Sequence, residues 1–288
     1  MANFIRQLAL VSESKTIDLP ELTRVAAALD KQATRDFAPI WGINSSIHAF
    51  ERLEDVPLGY WPMVVQDNIG FQGAAGIHLD KDGQPYALIT SGEGWELTAS
   101  HETLEMLADP FGNRVIAGPS IMPKQGKEKK QGRVSYLVEV SDPSEAADFA
   151  YHVNDIMVSD FYTPSYFDPV KAVGVRYSFT GAITEPRQVL KGGYLSWHEP
   201  VSDHWFQATF FGAELEFVDI GVIDASKGSL RSQIDKSTYE RMRNAMKPAK
   251  AMLTAGKARM SGSEESSGAR AKSLHGQIAS LVKKARKA

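Results

Sequence analysis

The sequence has no cysteine, which excludes a disulfide framework and any thiolate metal centre. It has no uninterrupted apolar stretch of the length a membrane helix needs. Residues 1–15 are interrupted by Arg6 and Gln7 and carry no small-residue cleavage pattern, so no secretory leader is recognised and a cytoplasmic location is expected. Also missing are internal repeats, a P-loop and a dinucleotide-type glycine motif. A net charge of only −3 carries no general signal for nucleic acid.

What is present is a chain of 288 residues, 43% hydrophobic, with five tryptophans. That permits a sizeable core and one large or two small domains. The mean charge conceals an asymmetry: residues 251–288 carry +6, so residues 1–250 carry −9.

Hydrophobic periodicity predicts a helix over 19–37, opened by Asp18 and Pro20 and burying Leu22, Val25, Ala26, Leu29 and Ala33, with Ala38-Pro39 as its break. Strands are predicted over 45–50, 61–67, 73–78 and 85–90, the last two flanking the turn Asp80-Lys81-Asp82-Gly83. A basic loop spans 118–133. Strands follow over 134–140, 173–179, 192–198, 204–211 and 217–223, with short strand-like runs in 151–159 and a helix over 235–251. Residues 260–269 have linker composition, and 274–287 reads as a short basic amphipathic helix suited to association. His48, His198 and His204 read as structural, and His78 as a satisfied histidine at a strand end near the motif described next.

The chemistry concentrates in Ser100-His101-Glu102-Thr103-Leu104-Glu105-Met106-Leu107-Ala108-Asp109-Pro110. At 3.6 residues per turn His101, Glu105 and Asp109 share a face. Ser100 reads as the N-cap and Pro110 as the stop. After the predicted strand 134–140 comes a second acidic pair, Glu139-Val140-Ser141-Asp142. Imidazole and carboxylates presented together are ligands for one divalent cation. Zinc is the first choice, and calcium or manganese are alternatives because carboxylates harden the site. Tyr151, Tyr162 and Tyr166 stand in or near an aromatic loop after these strands.

This H-E-x-x-E helix followed by E-x-x-D resembles the zincin-like arrangement of the exordium (phosphate-induced) proteins and related uncharacterised bacterial chains. The order of elements also looks like a metzincin-type core. The resemblance covers residues 43–167. It implies His101 and Glu105 as ligands, Glu102 as the general base for a metal-bound water, and Glu139 or Asp142 completing the site. The chain departs from the pattern in lacking H-E-x-x-H, a third histidine after Glu105, and the leader and cysteines of exordium proteins.

The expected fold is therefore α/β or α+β: a zincin-like mixed sheet with its motif helix in residues 1–170, a β-rich extension with a terminal helix in 171–250, and a flexible basic tail in 251–288. The expected function is a metal-dependent hydrolase, a zincin-like peptidase acting on a peptide or protein. Glu102 would be the base, with His101, Glu105, Glu139 and Asp142 as ligands. Asp109 would be a further ligand, and Tyr151, Tyr162 or Tyr166 an oxyanion stabiliser. The strand 85–90 would flank the cleft. The alternative is a non-catalytic binding or assembly protein that keeps the cation as a structural element.

Overall fold

The computed structural model describes residues 5–71, 73–123 and 131–246. Lys124, Lys127, Lys129 and Lys130 of the basic loop lie outside these residues. So do the end of the predicted 235–251 helix, the linker composition at 260–269 and the basic segment 274–287.

The first strand, β1 (Arg6–Ser12), leads into α1 (Leu19–Lys31). Asp18 caps that helix, its Oδ1 accepting from the Glu21 amide at 2.8 Å, and Pro20 sits in the first turn. Leu22, Val25, Ala26 and Leu29 are buried at helical spacing. The helix does not break at Ala38-Pro39. It widens into a π-helical stretch, Gln32–Phe37, and continues as α2 (Ala38–Trp41) to Gly42, whose left-handed backbone ends it. Pro39 is accommodated because it occupies a first-turn position of that last segment.

Then come β2 (Ser45–Phe50), β3 (Trp61–Gln66), β4 (Gly76–Lys81) and β5 (Gln84–Thr90). With β1 they form a mixed sheet in the order β2-β1-β3-β5-β4, in which only β4 runs antiparallel. The hairpin turn between β4 and β5 is Asp82-Gly83, both at positive φ, the two-residue geometry that matches strand twist. The strand predicted at 85–90 is internal, paired on both sides, so an extended peptide cannot pair with its edge. The free edge next to it belongs to β4.

The motif helix α3 (Trp95–Ala108) starts five residues before the predicted Ser100 cap, opened by Gly94 at φ 82°. Ser100 is buried in mid-helix. Its hydroxyl donates to Gln32 Oε1 at 2.7 Å and accepts from the Ser159 amide at 2.8 Å, tying α3 to the π-helical stretch and the following hairpin.

A second sheet, fully antiparallel, has the order β12-β11-β10-β7-β6. Its strands are β6 (Val115–Pro119), β7 (Arg133–Leu137), β10 (Tyr194–Glu199), β11 (His204–Thr209) and β12 (Glu216–Gly221). The small hairpin β8 (Tyr151–Val153) and β9 (Ile156–Val158) packs on α3. No strand forms over 173–179. Gly174 is left-handed, Val173 and Val175 are exposed, and only Ser178 makes an isolated bridge, to Tyr162. An alternating pattern with no partner strand to bury it stays a loop. The last helix, α4 (Leu230–Met246), begins earlier than predicted.

The fold is thus α+β, a mixed sheet with its motif helix followed by a β-rich extension. Both sheets lie in one compact unit ending at Met242. They share a core in which Leu8, Leu10, Val65 and Ile89 meet Leu29, Leu104 and Leu107, continuing through Tyr136 and Trp197. No helix among the described residues is long and apolar enough to cross a membrane.

Candidate metal centre

One turn of α3 separates His101 from Glu105, and the helix stacks them. His101 Nε2 lies 3.1 Å from Glu105 Oε2. On its other side it lies 3.2 Å from Asp142 Oδ1. Asp142 arrives from the second sheet: β7 ends at Leu137, and the chain then turns through a 3-10 segment at Asp142–Ser144. Gly193 is pressed against that turn so closely that a Cβ there would lie 2.5 Å from the Asp142 carbonyl. Glu105 is oriented from the same segment, its Oε1 accepting from the Ser141 amide at 3.2 Å.

A tetrahedral zinc with bonds of about 2.0–2.2 Å sets its ligand atoms about 3.3–3.6 Å apart. The separations from His101 are close to that spacing. Asp142 Oδ2 and Glu145 Oε1 are buried without a hydrogen-bond partner, and Asp142 Oδ1 has the His101 imidazole at 3.2 Å. Buried carboxylates left unpaired are costly, and a cation removes that cost.

Further groups complete the cluster, and of these the sequence points only to His78, as a strand-end histidine near the motif. His78, on β4, is buried. Its Nε2 meets the Asp109 carbonyl at 3.0 Å and its Nδ1 lies 3.4 Å from Glu102 Oε2. Arg231, on α4, is fully buried and contacts Glu105 and Glu139, with Nη2 3.5 Å from Glu102 Oε2 and Nε 3.0 Å from Asp235 Oδ2. The Arg231/Asp235 spacing of four residues was the only sequence signal for this pair. Glu145 joins from the segment after Asp142.

Among the described residues two sets of three ligand atoms lie within 4.8 Å of one another: His101, Glu105 and Asp142, and His78, Glu105 and Glu139.

Other predicted site residues are placed elsewhere. Asp109 leaves the helix face, because at the C-cap its backbone departs from helical angles (φ −138°, ψ 77°) and its Oδ2 accepts from the Arg114 amide at 2.7 Å. Tyr151 donates to Asp36 Oδ2 at 3.0 Å, on the π-helical side of the molecule. Tyr166 donates to the Gln188 carbonyl at 3.0 Å and stacks on Tyr162, ring centroids 4.3 Å apart. The buried Tyr162 hydroxyl has no hydrogen-bond partner. Burial, then neighbouring Tyr166 and the charges of Glu105 and Asp142, push it well above the usual phenol range.

The protonation pattern is that of an acidic cluster short of counter-charge. Burial alone would depress His101, but the Glu105 charge and hydrogen bonding to Asp142 and Glu105 hold it well above an ordinary imidazole. Glu105 is lowered despite burial, chiefly by Arg231 and then His101. Burial, reinforced by Glu105, raises Asp142 far above a normal carboxyl. Burial pushes Glu145 up to about 8, against the opposing pull of His101. Asp235 is pushed up to about 6 by burial, against Arg231.

A cavity of about 210 Å³ opens onto this cluster. His101, Glu102 and Glu145 form its polar wall, with Leu97, Tyr194 and Tyr239 among the other lining residues. Gly76 lets β4 approach α3 here: a Cβ would lie 2.6 Å from Thr98 Cγ2 and 2.8 Å from Glu102 Oε1. Gly76→Ala is therefore expected to cost about 1–3 kcal/mol by overpacking and to displace Glu102. Thermal unfolding measures the cost, and an unchanged melting temperature would contradict it. No family model, curated protein or solved structure matches this chain.

Proposed function

We propose that the protein is a metal-dependent hydrolase, a zincin-like peptidase, with one divalent cation held by His101, Glu105 and Asp142. The observation that carries this reading is the His101–Glu105–Asp142 convergence, with Asp142 Oδ2 buried and without a hydrogen-bond partner, at the wall of a cavity that Glu102 also lines. Zinc is the best fit to one imidazole and two carboxylates at this spacing.

Bound there, zinc supplies Lewis acidity to a substrate carbonyl and acidifies a water. Glu102 follows His101 on the helix, and its carboxylate reaches the cavity beside the ligands. It takes the proton from the attacking water and delivers it to the leaving amine. Its Oε2 faces His78 Nδ1 at 3.4 Å and Arg231 Nη2 at 3.5 Å, which hold the carboxylate in place. Beyond Gly76, whose carbonyl accepts from the Tyr239 hydroxyl at 3.2 Å, the outer edge of β4 has no partner strand among the described residues and is where an extended peptide would add as a further strand.

A structural cation in a non-catalytic protein would be closed on all sides. The cavity beside His101 and Glu102 favours an open coordination position instead. The test is metal analysis of the purified protein after dialysis. About one zinc, manganese or calcium per chain supports the reading, and a chain that binds none after incubation with each of the three ends it.

A further inference from the structure

The two ligand triads share Glu105. A carboxylate between two sets of donors is the layout of a two-metal site, in which the ions stand about 3.5–4 Å apart. The second triad, however, already meets a cation. The Arg231 guanidinium contacts Glu105 and Glu139, two of its three members, through a single nitrogen. Its other groups reach Glu102 and Asp235. It is 1% exposed, and an arginine cannot give up its charge in a protein.

Burying that charge is costly unless several anions surround it, and here four carboxylates do. Hydrophobic packing would be served by a leucine or methionine. A guanidinium at this place serves the carboxylates.

We propose that Arg231 is a built-in second cation: it occupies the His78–Glu105–Glu139 position, restricts the centre to a single metal ion at His101–Glu105–Asp142, and holds Glu102 and Glu105 by charge. This rests on the metal reading above. It assigns Glu139 to Arg231 rather than to the metal. It also makes α4, which brings Arg231 and Asp235, part of the site.

The experiment uses the full chain, stripped with chelator and titrated with zinc by calorimetry, with bound zinc counted by elemental analysis. The wild type is expected to take one zinc. Arg231→Met, close in length but neutral, is expected to take two. Arg231→Lys, which restores the charge, is expected to return to one.

Glu139→Gln keeps Arg231 in place and provides a second test should Arg231→Met not fold. It is expected to bind one zinc with a loss of affinity of no more than about a hundredfold, the upper cost of an outer-shell change. Two zinc ions in the wild type, one in a folded Arg231→Met, or a loss beyond about a hundredfold in Glu139→Gln would overturn the proposal. One zinc in the wild type and in Arg231→Met leaves the metal reading intact and removes only the role of Arg231. No zinc in any variant removes both.

Discussion

Glu102→Gln is expected to keep its zinc and lose hydrolysis, while His101→Ala loses both. The glutamine amide is nearly isosteric with the carboxylate, so the helix and the ligands beside it stay in place, but it cannot accept the proton from water. General-base contributions are about 10²–10⁴-fold, and the loss in cleavage of a mixed fluorogenic peptide pool should fall in that range. His101 supplies the only imidazole of the proposed triad and touches both of its carboxylates, so truncating it leaves Glu105 and Asp142 facing each other. Zinc content separates the two variants. Undiminished turnover in Glu102→Gln would eliminate the proposed mechanism even with the metal still bound.

The metal-free protein is expected to melt at lower temperature as the pH rises from about 5 to about 8. Glu145 holds its proton in the folded chain up to about 8, against an ordinary value of 4.5. Asp235 does so up to about 6, against 3.8, and Asp142 is displaced in the same direction. Between those limits the folded chain binds more protons than the unfolded one, so its stability falls as pH rises. His101 acts with them: its raised folded value contributes stability below 6.5 that is lost as the pH climbs through the folded value. Glu105 is depressed, so its contribution is present above 4.5 and is lost only on further acidification, outside this window.

Each pKa unit of displacement is worth about 1.4 kcal/mol, so the drop should amount to several degrees. Zinc should reverse the trend. Its ligands must be deprotonated, so affinity rises with pH, and saturation at 100 times Kd adds about 2.7 kcal/mol. Melting curves at several pH values, with chelator and with zinc, check both halves. A chelated protein that melts higher at pH 8 than at pH 5 would contradict the protonation pattern.

The features legible in the sequence are those set by geometry over a few residues. Asp18 and the apolar spacing of 22–29 specified α1. Asp82-Gly83 specified the hairpin, because two successive positive φ angles suit few other pairs. The spacing of four placed His101 against Glu105, because a helical turn admits no other outcome. The same reasoning failed at Asp109, where the helix ends and the carboxylate turns to Arg114. It also failed at Ser100, whose hydroxyl is taken up by Gln32 and Ser159 from two other segments rather than by a helix end.

Tertiary structure alone decided which groups meet that helix. Asp142 reaches His101 because the turn after β7 is pinned between α3 and Gly193. Arg231 crosses 126 positions of sequence to Glu105, and His78 turns in from the edge strand to Glu102. Local spacing encodes none of these encounters. They follow from how two sheets and α4 bury their apolar faces around one core, and a buried carboxylate must then take whatever counter-charge that packing delivers.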